Sequence, residues 1–318
     1  MAEPRKLDMS VAVAILTYKR LDMLETALAR CEAAFRAAKV RAILLVIDND
    51  ADETARPVVA RFADRFDEIH YHCEPRRGIP VARNRALDEA LALGADALCF
   101  IDDDEYPDPE WLARLVACWR ETGADLVGGP VEVARPVPGA GLLQRIINAS
   151  LAARMRRKNS KTARAAARKG RYTIITNNWL CDLAWQKRAK IRFDETLLIS
   201  GGSDTAFYRA ARKAGCETAW CPDALVSETI PLERLTFDYQ FRRAADQSIT
   251  RFRLKNPRVT PGVAILASGA AALRFLLGAA LLVLPVFGAA SPMMAIRSLG
   301  WSAGRLQALR GKKSELYK

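Results

Sequence analysis

The stretch Ala97-Leu98-Cys99-Phe100-Ile101-Asp102-Asp103-Asp104-Glu105 decides the fold class. Its apolar part, Ala97 to Ile101, is too short for a helix and reads as a buried strand. The strand runs directly into an acidic cluster. Hard carboxylate oxygens suit Mg²⁺ or Mn²⁺, ions that share their coordination with substrate phosphates. Alternate strand residues point to opposite sides, so Asp102 and Asp104 are expected to face one side together. The competing reading is a solvated acidic turn that starts a helix.

Outward from this strand the pattern repeats. Val11 to Leu16 is another short apolar run, ended by Thr17-Tyr18-Lys19-Arg20. Leu21, Leu24, Leu28, Cys31 and Phe35 then recur at three or four residues, the apolar face of a helix. Ile43 to Ile47 is a further buried strand, stopped by Asp48-Asn49-Asp50. The spacing predicts a helix around Arg56 to Arg65, a strand over Glu68 to Cys73, and helices over Val81 to Leu93 and Pro109 to Glu121. Strands alternating with helices predict an α/β fold with a parallel, doubly wound sheet. Such sheets bind ligands beyond the carboxyl ends of their strands. Three of those ends carry Thr17–Arg20, Asp48–Asp50 and Asp102–Asp104, and Asp48 beside the acidic cluster strengthens the metal reading.

Several function classes are disfavoured. No GxGxxG follows the first strand and no GxxxxGK[ST] occurs, which counts against a nicotinamide dehydrogenase and a P-loop ATPase. No fixed period of a solenoid is present. The seven cysteines are scattered without CxxC pairs and read as reduced thiols of a cytosolic protein. The two histidines, His70 and His72, are assigned to alternate faces of one short strand. They offer little to a zinc enzyme or a Ser-His triad.

The net charge of +13 is unevenly placed. Residues 133–181 hold eleven Lys or Arg and no Asp or Glu, and residues 256–318 hold eight against Glu315 alone. Both segments adjoin apolar sequence, which tilts the reading from nucleic acid toward an anionic membrane surface. Gly141 to Lys158 reads as a basic amphipathic helix with Leu143, Ile147, Leu151 and Met155 on one face, followed by a basic loop or lid. Val263 to Ala290 is apolar, broken by Arg274 and containing Pro285, with basic flanks on both sides. The positive-inside rule favours a re-entrant or interfacial helical hairpin, with a single span and a soluble helical pair as alternatives. Met1 to Met9 is polar, so no signal peptide is read there and the catalytic part is expected in the cytoplasm.

The polar pieces stand in an order that resembles family 2 glycosyltransferases. These are inverting enzymes of the GT-A fold (nucleotide-diphospho-sugar transferase, Rossmann-like) that use nucleotide-sugar donors. The strand into Thr17-Tyr18-Lys19-Arg20, then Asp48, Gly78-Ile79-Pro80-Val81-Ala82-Arg83-Asn84, and Asp102-Asp103-Asp104 as a DxD motif match in turn. Thr176-Asn177-Asn178, Phe193-Asp194-Glu195 and Gly201-Gly202-Ser203-Asp204-Thr205, similar to a GGED motif, complete the set over about residues 9–245. The resemblance implies that Thr17, Tyr18 and Arg20 surround the nucleotide, that Asp48 bonds the base, and that Arg83 holds base or diphosphate. It further places Asp102 by the ribose and Asp104 on the metal, with Asp103 as the alternative direct ligand. Asp204 is the implied general base, with capping of a helix from Thr205 to Ala214 as its plain structural role. Ser203 stands where the family has Glu. Asn178 and Trp179 are the implied acceptor contacts, Trp179 reading equally well as core, while Trp220 reads as core.

The expected organisation is a catalytic domain over 1–255 and membrane-associated helices with a basic tail over 256–318. The catalytic domain divides into a donor half (about 9–130), a basic lid (about 139–171) and an acceptor half (about 172–255). The expected activity is transfer of one sugar from a nucleotide sugar, UDP-linked, to a lipid-linked saccharide, with Mn²⁺ or Mg²⁺ as cofactor. It would take place at the cytoplasmic face of the inner membrane, on a monotopic or single-span protein. The resemblance is to transferases that build bacterial exopolysaccharide repeat units. QxxRW is absent and Arg242-Arg243 stands in its region, which argues for single addition. The alternatives are transfer onto polyprenyl phosphate, or a non-catalytic basic membrane or nucleic-acid binding protein; no nucleic-acid partner is expected.

Overall fold

The structure, a computed structural model, describes residues 9–198, 202–256, 258–283 and 291–312. Gly201, the end of the apolar run (284–290, with Pro285) and the tail from Lys313, with Glu315, lie outside the described residues. In chain order the elements are β1 (Ser10–Thr17), α1 (Leu21–Ala37), β2 (Arg41–Asp48), α2 (Arg56–Ala60), β3 (Ile69–Cys73), α3 (Ile79–Ala92), β4 (Ala97–Asp102), β5 (Glu105–Pro107), α4 (Trp111–Thr122), β6 (Leu126–Gly128) and β7 (Val131–Val133). There follow α5 (Leu142–Ala167), β8 (Trp179–Asp182), α6 (Leu183–Ala189), α7 (Ser203–Lys213), β9 (Thr218–Trp220), β10 (Val226–Glu228), α8 (Phe237–Lys255), α9 (Pro261–Val283) and α10 (Ser291–Leu309).

The chain forms two units. The first comprises Met1–Glu132, Met155–Leu198 and Ser203–Glu228, and the second Val133–Arg154, Ile199–Gly202 and Thr229–Lys318. In the first unit, period-2 alternation makes two cores. Val11, Val13, Ile15, Leu44, Val46, Cys99 and Ile101 pack on one side of the sheet with Leu24, Leu28, Leu115 and Trp119 from α1 and α4. Ala12, Ala14, Ile43, Leu45, Leu98 and Phe100 pack on the other with Ala82, Ala86 and Phe207 from α3 and α7.

The main sheet has the order β3-β2-β1-β4-β8-β6-β9. Strands β1 to β4 pair in parallel, as the alternation of strands and helices predicts. Beyond β4 the all-parallel expectation fails. β8 pairs antiparallel with both β4 and β6, while β6 and β9 are parallel, so β8 runs against its sheet. The order β4-β8-β6 is not sequential, and strand period does not encode direction. A smaller sheet has the order β5-β10-β7.

Three local readings change. The expected helix from Arg56 to Arg65 is α2 plus a 3₁₀ turn at Ala63–Arg65. His70 and His72 share one face, with ring centroids 6.2 Å apart, because residues two apart on a strand point the same way. The basic stretch after Lys158 continues α5 to Ala167 instead of looping; its Ala, Arg and Lys are strong helix formers.

The second unit is helical. α10 returns antiparallel along α9: Ser298 Oγ donates to the Arg274 carbonyl at 3.0 Å and Ser302 Oγ to the Ala271 carbonyl at 2.7 Å. Arg274 does not interrupt α9, and its guanidinium lies 4.4 Å from the Trp301 ring centroid. α9 buries a narrow stripe of Ala267, Ala271, Gly278 and Leu281. Most of its other apolar side chains face outward, Leu266 at 76% and Val283 at 78% exposure. It is the one helix among the described residues long and apolar enough to cross a membrane, by length and composition. α8, which the sequence groups with the catalytic part, packs instead against α10 in this unit.

The α8–α10 packing depends on small residues. A Cβ on Gly304 would sit 2.1 Å from the Ala245 carbonyl oxygen, and one on Gly300 2.3 Å from that of Phe241. Gly304→Ala is therefore expected to destabilise the protein by about 1–3 kcal/mol through overpacking. Gly269→Ala on α9 meets nothing within 4 Å and should be neutral or stabilising, by up to about 1 kcal/mol from helix propensity. Chemical denaturation of the two variants checks the contrast.

Candidate active site

Register places the three polar strand ends side by side. Thr17 lies opposite Asp48, and Leu16 opposite Asp102, so the ends of β2, β1 and β4 form one edge of the first unit. At its centre is the acidic cluster. Asp103, Asp104 and Glu105 are buried and Asp102 is half-buried. Burial raises the Asp102 carboxyl to about 7; nearby Arg83 opposes this, and Asp104, Asp103 and Glu228 reinforce it. Burial, then the charges of Asp102 and Glu228, lift Glu105 well above the ordinary carboxylate range. Burial also raises Asp103, against the pull of Arg20. The edge thus concentrates negative charge in poorly hydrated surroundings.

Arg20 and Thr17 answer part of that charge. Thr17 Oγ1 donates to Asp103 Oδ2 at 3.0 Å. Arg20 Nη1 donates to Asp103 Oδ1 at 2.8 Å and lies 3.3 Å from Asp104 Oδ2. Despite burial, Asp103 and Asp104 hold the Arg20 guanidinium in its charged form more firmly than usual. Both side chains, expected around a nucleotide, here face the carboxylates. Tyr18 is exposed, with the Arg77 guanidinium 4.6 Å from its ring centroid. Asp48 is fully buried, and its carboxylate accepts from the Asp50 and Ala55 amides and from the Tyr71 hydroxyl, the latter two at 2.9 Å. As placed, it braces the loop after β2 and does not present a free carboxylate to a base.

Arg83 joins the cluster to the distant motif. It acts electrostatically on Asp102, and its Nη1 donates to Ser203 Oγ at 2.9 Å. Its neighbour Asn84 clamps Phe193 through the backbone amide and carbonyl and donates to Glu195 Oε1 at 2.9 Å. Ser203 stands where the family pattern has Glu, and Asp204 follows it directly in the chain. Asp204 is half-buried in the first turn of α7, and its Oδ1 accepts from the Thr205 amide at 2.7 Å. The helix begins at Ser203 and not Thr205, so Asp204 sits inside the first turn and is not its N-cap.

The acceptor assignment of Asn178 and Trp179 changes. Trp179 is 1% exposed and packs among Phe100, Phe193 and Phe207. It offers no face to a sugar. Asn178, also 1% exposed, accepts from Trp111 Nε1 at 2.9 Å and donates to the carbonyls of Pro130 and Ala224, both at 2.8 Å. A Cβ on Gly129 would lie 2.7 Å from its amide nitrogen, so Gly129 makes room for this clamp. Trp185 is core as well, and Trp220 is half-buried. Sequence reasoning missed Glu105 and Glu228. Glu105 Oε2 accepts from the Asp102 amide at 3.0 Å, and Oε1 accepts from Asn177. The polar doublet Asn177-Asn178 beside buried sequence was the available signal.

Among the described residues no group of three or more His, Cys, Asp and Glu side chains could hold a metal ion by itself. The donor set still fits one class of ion. Mg²⁺ and Mn²⁺ are often held by one or two carboxylates with substrate phosphates completing the shell, and a raised Asp102 marks negative charge that a cation would relieve.

A family model described as glycosyl transferase family 2 matches residues 12–181. The chain is 32% identical over 251 residues to the succinoglycan biosynthesis protein ExoM of Rhizobium meliloti (strain 1021), covering 77% of this chain and 74% of that relative. The structure is similar to that of a mannosyltransferase, PcManGT, of Pyrobaculum calidifontis in complex with GDP-Man and Mn²⁺. The TM-score is 0.60 at 18% identity, over 98% of this chain and 90% of that one. It is also similar to S. aureus TarS 1–349 in complex with UDP-GlcNAc, at TM-score 0.51 and 13% identity, over 96% of this chain and 93% of that one.

The clamp gives a test of the corrected role. Asn178→Ala leaves Trp111 Nε1 and the Ala224 carbonyl without their partner in the interior, while the Pro130 carbonyl keeps the Val226 amide, and the change is expected to cost about 2–3 kcal/mol of stability. Thermal unfolding should show the loss without any acceptor present. An unchanged melting temperature with weakened acceptor binding would restore the contact role.

Proposed function

Because the chain belongs to glycosyl transferase family 2, we propose that it moves one sugar from a nucleotide sugar, UDP-linked by the motif resemblance, to a lipid-linked saccharide with inversion. Its first unit has the GT-A fold. The observation that carries the reading is the Arg83–Ser203 bond, which ties the acidic strand end to the segment bearing Asp204.

In this reading Asp204 takes the proton of the acceptor hydroxyl as that oxygen attacks the anomeric carbon. The bond from that carbon to the diphosphate oxygen breaks, and the nucleoside diphosphate leaves with the electron pair. Asp102 and Asp104, with Asp103 as alternative, would hold a divalent cation, which when bound supplies positive charge where the leaving diphosphate develops negative charge. Arg20 orients Asp103 and Asp104 through its contacts. In this reading Arg83 would meet donor phosphate. Thr17 fixes Asp103, and Tyr18 is the exposed aromatic at this edge.

The second unit supports attachment to a membrane. Most of the apolar surface of α9 faces outward, and α10 runs back along it, as a monotopic hairpin requires. We place the protein at the cytoplasmic face, in cell-surface polysaccharide synthesis, on the basic flanks and on the likeness to a succinoglycan biosynthesis protein. The basic stretch over residues 139–171 remains a proposal for a lid or a membrane contact.

Two expected outcomes test the chemistry. Asp204→Asn should lower turnover by about 10²–10⁴ while donor binding persists; nucleoside diphosphate release from a panel of UDP and GDP sugars with Mn²⁺ measures it, and near-parent turnover would remove the base role. Asp102→Asn with Asp104→Asn should abolish the Mn²⁺ dependence of UDP binding by calorimetry with the fold retained. For attachment, the full chain should stay in the membrane pellet at 1 M salt and need detergent for release, because apolar burial is not screened. Release by salt alone would refute insertion.

A further inference from the structure

The outward face of α9 runs the whole length of the helix. Ile265, Leu276 and Val283 are exposed at 73%, 64% and 78%. Spacings of eleven and seven residues return to one helical face, here the face opposite the buried series Ala267, Ala271, Gly278 and Leu281. The result is an uncharged apolar strip about 27 Å long at 1.5 Å per residue. Arg274 belongs by its spacing to the side of Ala271 and Gly278 and stays off the strip.

The helices behind α9 fix how that strip can meet a membrane. α10 packs against both α9 and α8, while α8 and α9 meet where Ile249 and Phe252 join Ala267. The bonds from Ser298 to the Arg274 carbonyl and from Ser302 to the Ala271 carbonyl set the level of α10 on α9. Gly300 lies against the Phe241 carbonyl and Gly304 against that of Ala245, so α8 runs parallel to α10 at the same level. Asp238 and Arg242, an ion pair near the start of α8 with side chains 65% and 71% exposed, therefore stand level with the middle of α9. Were α9 to cross a bilayer, that pair would be carried to mid-depth, where charge is costly. With α9 lying flat, the strip alone is buried, and α8 stays in water because each packed helix adds about 8–10 Å.

The seam between α9 and α10 supplies the polar half of such a contact. The guanidiniums of Arg274 and Arg305 each lie 4.4 Å from the Trp301 ring centroid, so they are at most twice that distance apart. Trp301 is half-buried. Among the described residues neither arginine forms an ion pair, and Arg305 Nε is buried without a hydrogen-bond partner. Burial, then Arg251 and Arg274, loosen the hold of Arg305 on its proton, and no carboxylate opposes them. An indole suits the boundary between headgroups and acyl chains, and guanidinium forks bond phosphate oxygens in pairs.

We propose that α9 lies in the plane of an anionic phospholipid bilayer. Its strip from Ile265 to Val283 rests in the upper acyl region of one leaflet, and Arg274, Trp301 and Arg305 stand behind it among the lipid phosphates. This rests on the reading of the second unit as membrane-attached, and it adds the depth, the orientation and the headgroup contacts of that attachment.

The test uses the purified full chain with vesicles of mixed phosphatidylcholine and phosphatidylglycerol whose acyl chains carry bromine at defined carbons. Ile265→Trp, Leu276→Trp and Val283→Trp each add one indole at an exposed position of the strip, and the parent gives the background of its six tryptophans. All three should be quenched alike, most strongly by bromine close to the headgroups. Deeper quenching of Leu276→Trp than of the two ends would mean a crossing and overturn the orientation. Deeper quenching at one end alone would mean a re-entrant tip and overturn it equally. No added quenching in any variant, with the chain still sedimenting with vesicles, would overturn the strip and leave attachment through another surface. A chain that stays in the supernatant would overturn attachment itself, and the proposal with it. Charge gives a second readout. Arg274→Gln should bind phosphatidylglycerol vesicles about fivefold more weakly than the parent and phosphatidylcholine vesicles equally well. Arg274→Lys should match the parent on both. Equal phosphatidylglycerol binding by Arg274→Gln and the parent would remove Arg274 from the headgroup layer.

Discussion

Negative charge held in poorly hydrated surroundings at the end of β4 is the constraint on which the active edge depends. Asp102, Asp103, Asp104 and Glu105 follow one another, and Glu228 acts on two of them from β10. Carboxylates packed this way repel, and burial adds to the cost of each charge. The surrounding residues are arranged in response. Arg20 bridges two of the carboxylates, Thr17 donates to one, and the Glu105 side chain accepts from the Asp102 amide. In the proposed reaction a divalent cation at this edge would meet both the carboxylates and the leaving diphosphate.

That edge is held by residues that do no chemistry. Asn178 closes three segments by bonding the Trp111 ring and the carbonyls of Pro130 and Ala224. Asn84 closes two more, linking α3 to Phe193 and Glu195. In each case one buried amide satisfies groups far apart in the chain, and a buried polar group must be satisfied or it destabilises the fold. Asn49 repeats the device, donating to the carbonyls of Glu74 and Arg76 and accepting from the Gly78 amide. The loop that leads into Arg83 is therefore set by an Asn at the neighbouring strand end.

The second unit follows a different economy. Small residues let α8 and α10 approach closely, and α9 keeps most of its apolar surface outward. Exposed apolar surface is unfavourable in water and favourable against lipid, which is what the proposed membrane attachment would use.

The sequence by itself determined the parallel first half of the sheet, because short apolar runs and three-to-four residue spacing are local signals that burial only confirms. It also located the polar strand ends, since strand termination is written in the residues that follow each run. The resemblance added the family, because motif order survives where spacing drifts. Tertiary structure decided the rest. The reversed β8 depends on where the chain re-enters the sheet, which no local period records. Asn178 and Trp179 read as ligand contacts in sequence because polar and aromatic residues serve both sites and cores, and only burial separates the two.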